Sequence, residues 1–190
     1  MEKCSITKTG RLGKTDMRKI DRDEGISRIA KVGKIELFAC YIGREMFVSG
    51  YIRDNSGNKG DMVISLTLEE EYGDFERRQF YSVTMVEICR QYSGYGLAPK
   101  LYRALMRATG INIISGSIQS RGGQSIWNGM FDTKGIRLMA YRHTERKPRC
   151  LRDVTFNEFQ EELNADDDLV NIWSDSEYNN WRLVAEYTGA

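Results

Sequence analysis

Residues 79–118 read QFYSVTMVEICRQYSGYGLAPKLYRALMRATGINIISGSI, and the order of textures in that stretch decides the architecture. Its first ten residues, QFYSVTMVEI, are dense in β-branched and aromatic types with apolar side chains at both parities, the pattern of a strand buried between two layers. Leu97, Leu101, Ala104, Leu105 and Ala108 then recur at helical spacing. Pro99 is tolerated in a first turn whose N–H groups have no intrahelical acceptor, and Gly110 ends the helix. INIISGSI (111–118) reads as a returning strand. Strand, glycine-bearing turn, helix and strand make a crossover, which places the two strands parallel in one sheet.

Upstream, residues 34–52 carry two runs of strand-forming residues broken at Ile42-Gly43-Arg44-Glu45, a hairpin signal. Turn chemistry fills 54–61, strand character resumes over 62–68, and 69–78 reads as a polar break. Three antiparallel strands therefore precede the crossover. Downstream, 120–131 predicts a short helix whose Ile126, Trp127, Met130 and Phe131 share a core-packing face, and 135–141 predicts another strand. Thr155-Phe156-Asn157-Glu158 is a capping-box pattern opening a helix to about 163, and 174–187 reads as a final helix after Asp166-Asp167-Asp168. The fold class expected is mixed α/β with α+β character, a mixed central sheet flanked by helices and a C-terminal helical extension. The divisions are a basic, partly mobile segment at 1–31, a domain at 32–150 and an acidic helical extension at 151–190.

Charge separates the same two regions. Ten Asp and Glu against two Arg give 151–190 a net charge of −8, so the total of +1 leaves +9 on the first 150 residues. A basic body suits a polyanionic ligand, a nucleotide cofactor or nucleic acid. The 190 residues suffice for a sizeable core, which excludes wholesale disorder. No apolar run approaches membrane-spanning length and the start, MEKCSITKTGRLGK, lacks the apolar centre of a secretory signal, so a soluble cytoplasmic protein with no membrane partner is expected. Cys4, Cys40, Cys89 and Cys150 are too far apart for a C-x-x-C site, and His143 is the one histidine, so reduced thiols and no metal are expected.

The loop at 91–98 carries the sharpest chemical signal. Glycines directly after a strand and before a helix let several N–H groups point outward at the positive end of the helix dipole, where phosphate oxygens can sit. It is not a Walker loop, having no G-K-[ST], and it is not G-x-G-x-x-G. The competing reading is a tight turn with no ligand.

The segment 86–105, VEICRQYSGYGLAPKLYRAL, resembles the signature region of the GNAT superfamily of acyl-CoA-dependent N-acetyltransferases, whose pattern is Q/R-x-x-G-x-G/A. Gln91-Tyr92-Ser93-Gly94-Tyr95-Gly96 fits it; a second framing over 93–98 puts Ser93 at the first position, and both keep Gly94 and Gly96. The order of predicted elements over 32–143 is similar to that family's, and QSRGGQSIW (119–127) resembles phage-encoded members, for which the location would be the host cytoplasm. The resemblance implies a GNAT-like acyltransferase fold with acetyl-CoA or another acyl-CoA as cofactor. It implies that Tyr92, Ser93, Gly94, Tyr95, Gly96 and Leu97, with Gln91, hold the pyrophosphate. It places Val86 and Ile88 along the pantetheine arm, with Ser120 or Ser125 as its polar partner on the next helix, and a strand before the motif that splays from the next one so the thioester enters between them.

Acyl transfer to an amine needs a proton acceptor for the ammonium and donors for the oxyanion, while a thiolate already leaves readily near neutral pH. Glu87 interrupts an otherwise apolar strand and is the preferred base; the alternative is a Glu paired with Arg90 or solvated at the strand end. Glu69, Glu70 and Glu71 are rivals, and Thr84 could orient a water. The family's general-acid tyrosine, four positions before the glycine that opens the following strand, corresponds to Phe131. That departure keeps open a catalytically inactive GNAT-fold binding or structural protein. Nucleic-acid binding or modification is a third reading, with the run Arg142, Arg146, Lys147, Arg149 as one contact surface. The acceptor amine, on a protein or a small molecule, is not specified.

Overall fold

A computed structural model describes residues 26–53, 56, 59–72, 79–116, 120–131, 133–142, 149–150 and 181–189. Five strands open the chain: β1 (Ser27–Val32), β2 (Ile35–Ile42), β3 (Glu45–Arg53), β4 (Lys59–Tyr72) and β5 (Gln79–Ile88). Each pairs antiparallel with the next. Alternation sets their inner face: Leu37 and Ala39, then Met46 and Val48, then Ile64, Leu66 and Leu68 are all buried in one core. The sheet begins at Ser27, ahead of the start expected near Val32, because Ser27 already pairs with Ala39. Nor do residues 69–72 belong to a break. They complete β4, with Glu69 opposite Ser82 and Glu71 opposite Phe80, since ladder hydrogen bonds use the backbone and tolerate charged side chains at a solvated end.

Two features lock these hairpins. Glu36 on β2 accepts hydrogen bonds from Arg53 at 2.7 Å and Arg28 at 3.1 Å, which ties β1, β2 and β3 together. The arginines themselves cover the carboxylate and remain half-exposed. The bond from Arg53 holds the Glu36 carboxyl below the ordinary range against the opposing effect of desolvation, with the charges of Arg53, Arg28 and Lys31 in support. This stabilisation is present at neutral pH and is lost as acid protonates the group. The second lock is steric. A Cβ on Gly50 would lie 2.7 Å from Ile64 Cγ2 and 3.0 Å from Leu37 Cδ2, so only glycine lets β3 pass between them.

The remaining elements are α1 (Leu97–Thr109), β6 (Asn112–Ile114), α2 (Arg121–Phe131), β7 (Ile136–Arg142), β8 (Arg149–Cys150) and β9 (Trp181–Tyr187). Among the described residues the sheet has nine strands in the order β1-β2-β3-β4-β5-β6-β9-β7-β8. β5 and β6 are parallel, as the crossover requires; every other pair is antiparallel. Ala98, Leu101, Tyr102, Leu105 and Met106 of α1 and Trp127 and Met130 of α2 pack on the inner face with Leu66, Ile113, Leu138, Leu183 and Ala185. Phe80, Ile114, Met139 and Val184 cluster on the outer face. The molecule is thus mixed α and β, one sheet with two described helices.

The expected final helix over 174–187 is overturned where it is described. Trp181–Tyr187 is a strand between β6 and β7, and Leu183, Val184 and Ala185 are completely buried on both faces of the sheet. The segment WRLVAEY is rich in good helix formers, but two unpaired strand edges and a core on each side outweigh a propensity difference of at most ~0.7 kcal/mol per residue. Among the described residues there is no C-terminal helix. The expected helix from 155 and His143, Arg146 and Lys147 lie outside the described residues, as do residues 1–25. Cys40 and Cys89 are buried thiols that form no disulfide among the described residues. No helix among the described residues is long and apolar enough to cross a membrane.

Replacing Gly50 by Ala is expected to destabilise the fold by about 1–3 kcal/mol, the usual cost of forcing extra volume into a packed core. Urea unfolding measures it, and an unchanged midpoint would contradict the close packing of β3 between Ile64 and Leu37.

Candidate functional site

β5 contains one residue more than β4 can match. Val83 pairs with Leu68 and Met85 with Thr67, leaving Thr84 as a bulge whose hydroxyl donates to the Thr67 carbonyl at 3.1 Å. The extra residue reverses the parity of all that follows. Val86 and Ile88 face inward opposite Leu66 and Ile64, and Glu87 falls on the outer face opposite Ser65.

The parallel pairing of β5 with β6 is short. It runs from Phe80 opposite Asn112 to Ser82 opposite Ile114 and stops. Beyond it, residues 83–88 have no strand beside them on that edge among the described residues. At the branch point Ser115 stays with β9: its N–H donates to the Leu183 carbonyl at 2.7 Å and its hydroxyl accepts from the Leu183 N–H at 3.0 Å. Arg182 spans the gap. Its guanidinium donates to the Ser115 carbonyl at 2.6 Å, to Ser82 Oγ at 3.0 Å and to Glu71 at 2.6 Å. One side chain thereby fastens β4, β5, β6 and β9 at the root of a fork.

Past the fork, β5 ends in a 3-10 turn (Arg90–Tyr92) and then the turn 93–96. Gly94 and Gly96 have φ of +82° and +62°, a backbone region that other residues enter only with strain. Gly96 is the N-cap of α1 and supplies no side-chain acceptor, so the first N–H groups of the helix are left for another partner. On the other side, Ser120 caps α2, its hydroxyl accepting from the Gly123 N–H at 3.1 Å. The two helices touch where a Cβ on Gly129 would lie 2.7 Å from Pro99 Cγ.

Two adjoining chambers fill the space between β5 and α2. The one under the glycine turn measures about 510 Å³ and is bounded by Val86, Ile88, Tyr92, Ser93, Gly94, Gly96, Leu97, Ser120, Gly122, Ser125 and Gly129, among others. The second, about 360 Å³, lies at the fork and is bounded by Val83 to Glu87, Tyr102, Ser120, Gly123, Ile126 and Trp127. Val86, Ser120, Gly123 and Ile126 belong to both walls, so the chambers share a boundary along β5. From Val83 to Ile88 that strand rises about 17 Å.

Nine of the eleven residues expected to bind a cofactor therefore line one chamber. Gln91 and Tyr95 do not: both are exposed, and Tyr95 projects from the turn at 77% exposure. Ser125 donates its hydroxyl to the Arg121 carbonyl at 3.0 Å within its own helix, and Ser120 is a cap, so each reaches the chamber with one interaction already made. Glu87 is half-buried at the fork. Its rivals are placed differently: Glu71 is engaged by Arg182, and Glu69 is exposed. Phe131 ends α2 against the core and brings no hydroxyl.

Tyr102 was not singled out and Trp127 was expected only on a core-packing helix face, yet both reach the fork chamber. They are 2% and 3% exposed, and neither side chain has a hydrogen-bond partner among the described residues. Burial pushes the Tyr102 phenol well above the ordinary tyrosine range. A buried polar group left unpaired costs about 1–3 kcal/mol. No periodicity shows such a debt, because it depends on which neighbours the fold supplies.

A separate groove of about 590 Å³ runs between β1 and α1. Lys31, Lys100, Arg103 and Arg107 line it over a floor that includes Ile29, Val32, Ala104 and Ala108, with no carboxylate in the wall. Among the described residues no group of His, Cys, Asp and Glu is arranged to hold a metal ion. No protein-family model and no curated protein matches the chain.

The buried phenol gives a pH test. Unfolded, Tyr102 ionises near pH ~10; folded, it stays neutral, so its contribution is intact below that pH and declines above it. Relative to Tyr102→Phe, the wild type should lose about 1.4 kcal/mol of stability per pH unit above ~10. Urea unfolding between pH 8 and 11.5 measures the gap, and a gap independent of pH would show that the phenol ionises freely in the native state.

Proposed function

We propose that the chain is an acyl-CoA-dependent N-acyltransferase of the GNAT type, transferring an acetyl or related acyl group to a primary amine by direct attack. The observation that carries this reading is the fork: β5 continues past its last parallel pair with β6 and opens a cleft that begins under a glycine turn. The strand order supports it too, with antiparallel strands, a glycine turn and helix, a parallel strand, a short helix and a further strand in succession.

The residues present fit the cofactor. Backbone N–H groups from Gly94 to Leu97 would take the pyrophosphate at a helix start that has no side-chain cap, those of Tyr92 and Ser93 being donated to the Cys89 and Arg90 carbonyls, and Val86 and Ile88 would flank the pantetheine. Ser120 and Ser125 form the opposite wall. Bound acyl-CoA would supply a thioester carbonyl activated toward amines. The chain's own part is to dehydrate the fork, hold the acyl end against β5 and accept the ammonium proton on the carboxylate of Glu87. That carboxylate lies on the outer face, so the amine approaches from the side opposite the helices. Glu71 is unsuited to the role because Arg182 already holds it.

Calorimetric titration with acetyl-CoA is expected to show saturable binding, and silence up to millimolar ligand would remove the reading. Glu87→Gln should bind acetyl-CoA as the wild type does but turn over at least ~100-fold more slowly, a typical loss for a general base.

A second reading, contact with nucleic acid, is favoured by the groove between β1 and α1. Its four cations predict that affinity for a single-stranded oligonucleotide falls with salt at a log–log slope of about −3, near −0.7 per phosphate contact. Lys100→Glu with Arg107→Glu should reduce the slope by about half. Retention that ignores salt would dispose of this reading.

A further inference from the structure

In the chamber at the fork, each polar side chain has a partner among the described residues except two. Thr84 donates to the Thr67 carbonyl, Ser120 accepts from Gly123, and Glu87 has an interaction of its own. Tyr102, from α1, and Trp127, from α2, are the exceptions. Both are more than nine-tenths buried, and both form part of the same wall. Buried polar groups in native proteins are paired in the great majority of cases, so two left over around one cavity point to a missing third party. Their chemistry is alike. An indole N–H can only donate, and a phenol kept neutral by burial is a donor first. The ligand must therefore bring acceptor oxygens to these two donors, in a wall where Val83, Val86 and Ile126 alternate with the already partnered Thr84, Glu87 and Ser120.

We propose that the Tyr102 hydroxyl and the Trp127 indole N–H form a paired donor site for the carbonyl oxygens of an acyl-bearing amide chain lying in the fork. The proposal rests on the acyltransferase reading for the identity of that chain, and it adds two binding groups that the glycine turn does not supply. Neither group gives up its proton. They fix the carbonyl end of the ligand from the helix side, while Glu87 stands on the opposite face of β5.

The test compares wild type and Tyr102→Phe by calorimetry with acetyl-CoA, and follows the indole N–H resonance of isotope-labelled Trp127, assigned with Trp127→Phe. Acetyl-CoA should move that resonance downfield and slow its exchange with solvent. Tyr102→Phe should bind about five- to tenfold more weakly, as loss of one hydrogen bond implies. Free Tyr102→Phe should be at least as heat-stable as wild type near neutral pH, since the hydroxyl has no partner to lose among the described residues. Equal affinity or an unmoved indole resonance overturns the paired site and leaves the acyl-CoA reading standing. A wild type that does not bind acetyl-CoA overturns both. A free variant that melts earlier than wild type shows the hydroxyl was satisfied internally and overturns the inference at its premise.

Discussion

The guanidinium of Arg182 sits where the sheet ceases to be a continuous ladder. Left to themselves, two parallel strands that have begun to pair would go on pairing, because each further residue satisfies another backbone donor and acceptor. Here the continuation is denied to β5. Ser115 donates its N–H to the Leu183 carbonyl and accepts the Leu183 N–H on its hydroxyl, and Arg182 donates to the Ser115 carbonyl, so the chain leaving β6 is committed to β9. The same guanidinium holds Ser82 and Glu71 on the other branch. Charge-assisted bonds of this kind are stronger than neutral ones, and at one-fifth exposure the arginine is only partly screened by water. The cleft, the turn above it and the helices beside it all take their positions from that division.

Much of the core of this architecture was legible in the chain. QFYSVTMVEI, the glycine turn and the helix closed by Gly110 are local signals, and each element came out within a residue or two of its expected place. The parallel neighbour followed from the crossover rule. What escaped was set by distant partners. WRLVAEY has the composition of a helix and is a strand because β6 and β7 offer it two edges. Glu69 to Tyr72 have the composition of a loop and prolong β4 because β5 lies alongside. The bulge at Thr84 leaves no compositional mark, yet it decides that Val86 and Ile88 share a face and Glu87 does not.

The candidate site was legible to the same depth. The glycine turn and the two serines are sequence-local, and they bound one space. Tyr95, drawn in by the motif, points away from it, since flanking glycines free the backbone but no neighbour holds the ring. Trp127 passed for an ordinary core residue and Tyr102 drew no reading at all, as an apolar stripe along a helix carries no sign of an unpaired donor. Backbone N–H groups gather at the turn above a largely apolar chamber, and the fork chamber is the more polar of the two, with Thr84, Glu87 and Ser120 beside the two donors in its wall.

The interior placement of β9 bears on how the polypeptide matures. During vectorial synthesis everything up to residue 180 emerges before the strand that joins β6 to β7, so the growing chain carries two mutually facing seams with nothing to knit them. Until residues 181–187 arrive, Leu183, Val184 and Ala185 cannot plug the middle and the Arg182 clasp does not exist. A nascent chain of this design is most exposed to chaperones and to sticking to its neighbours just before that strand is made.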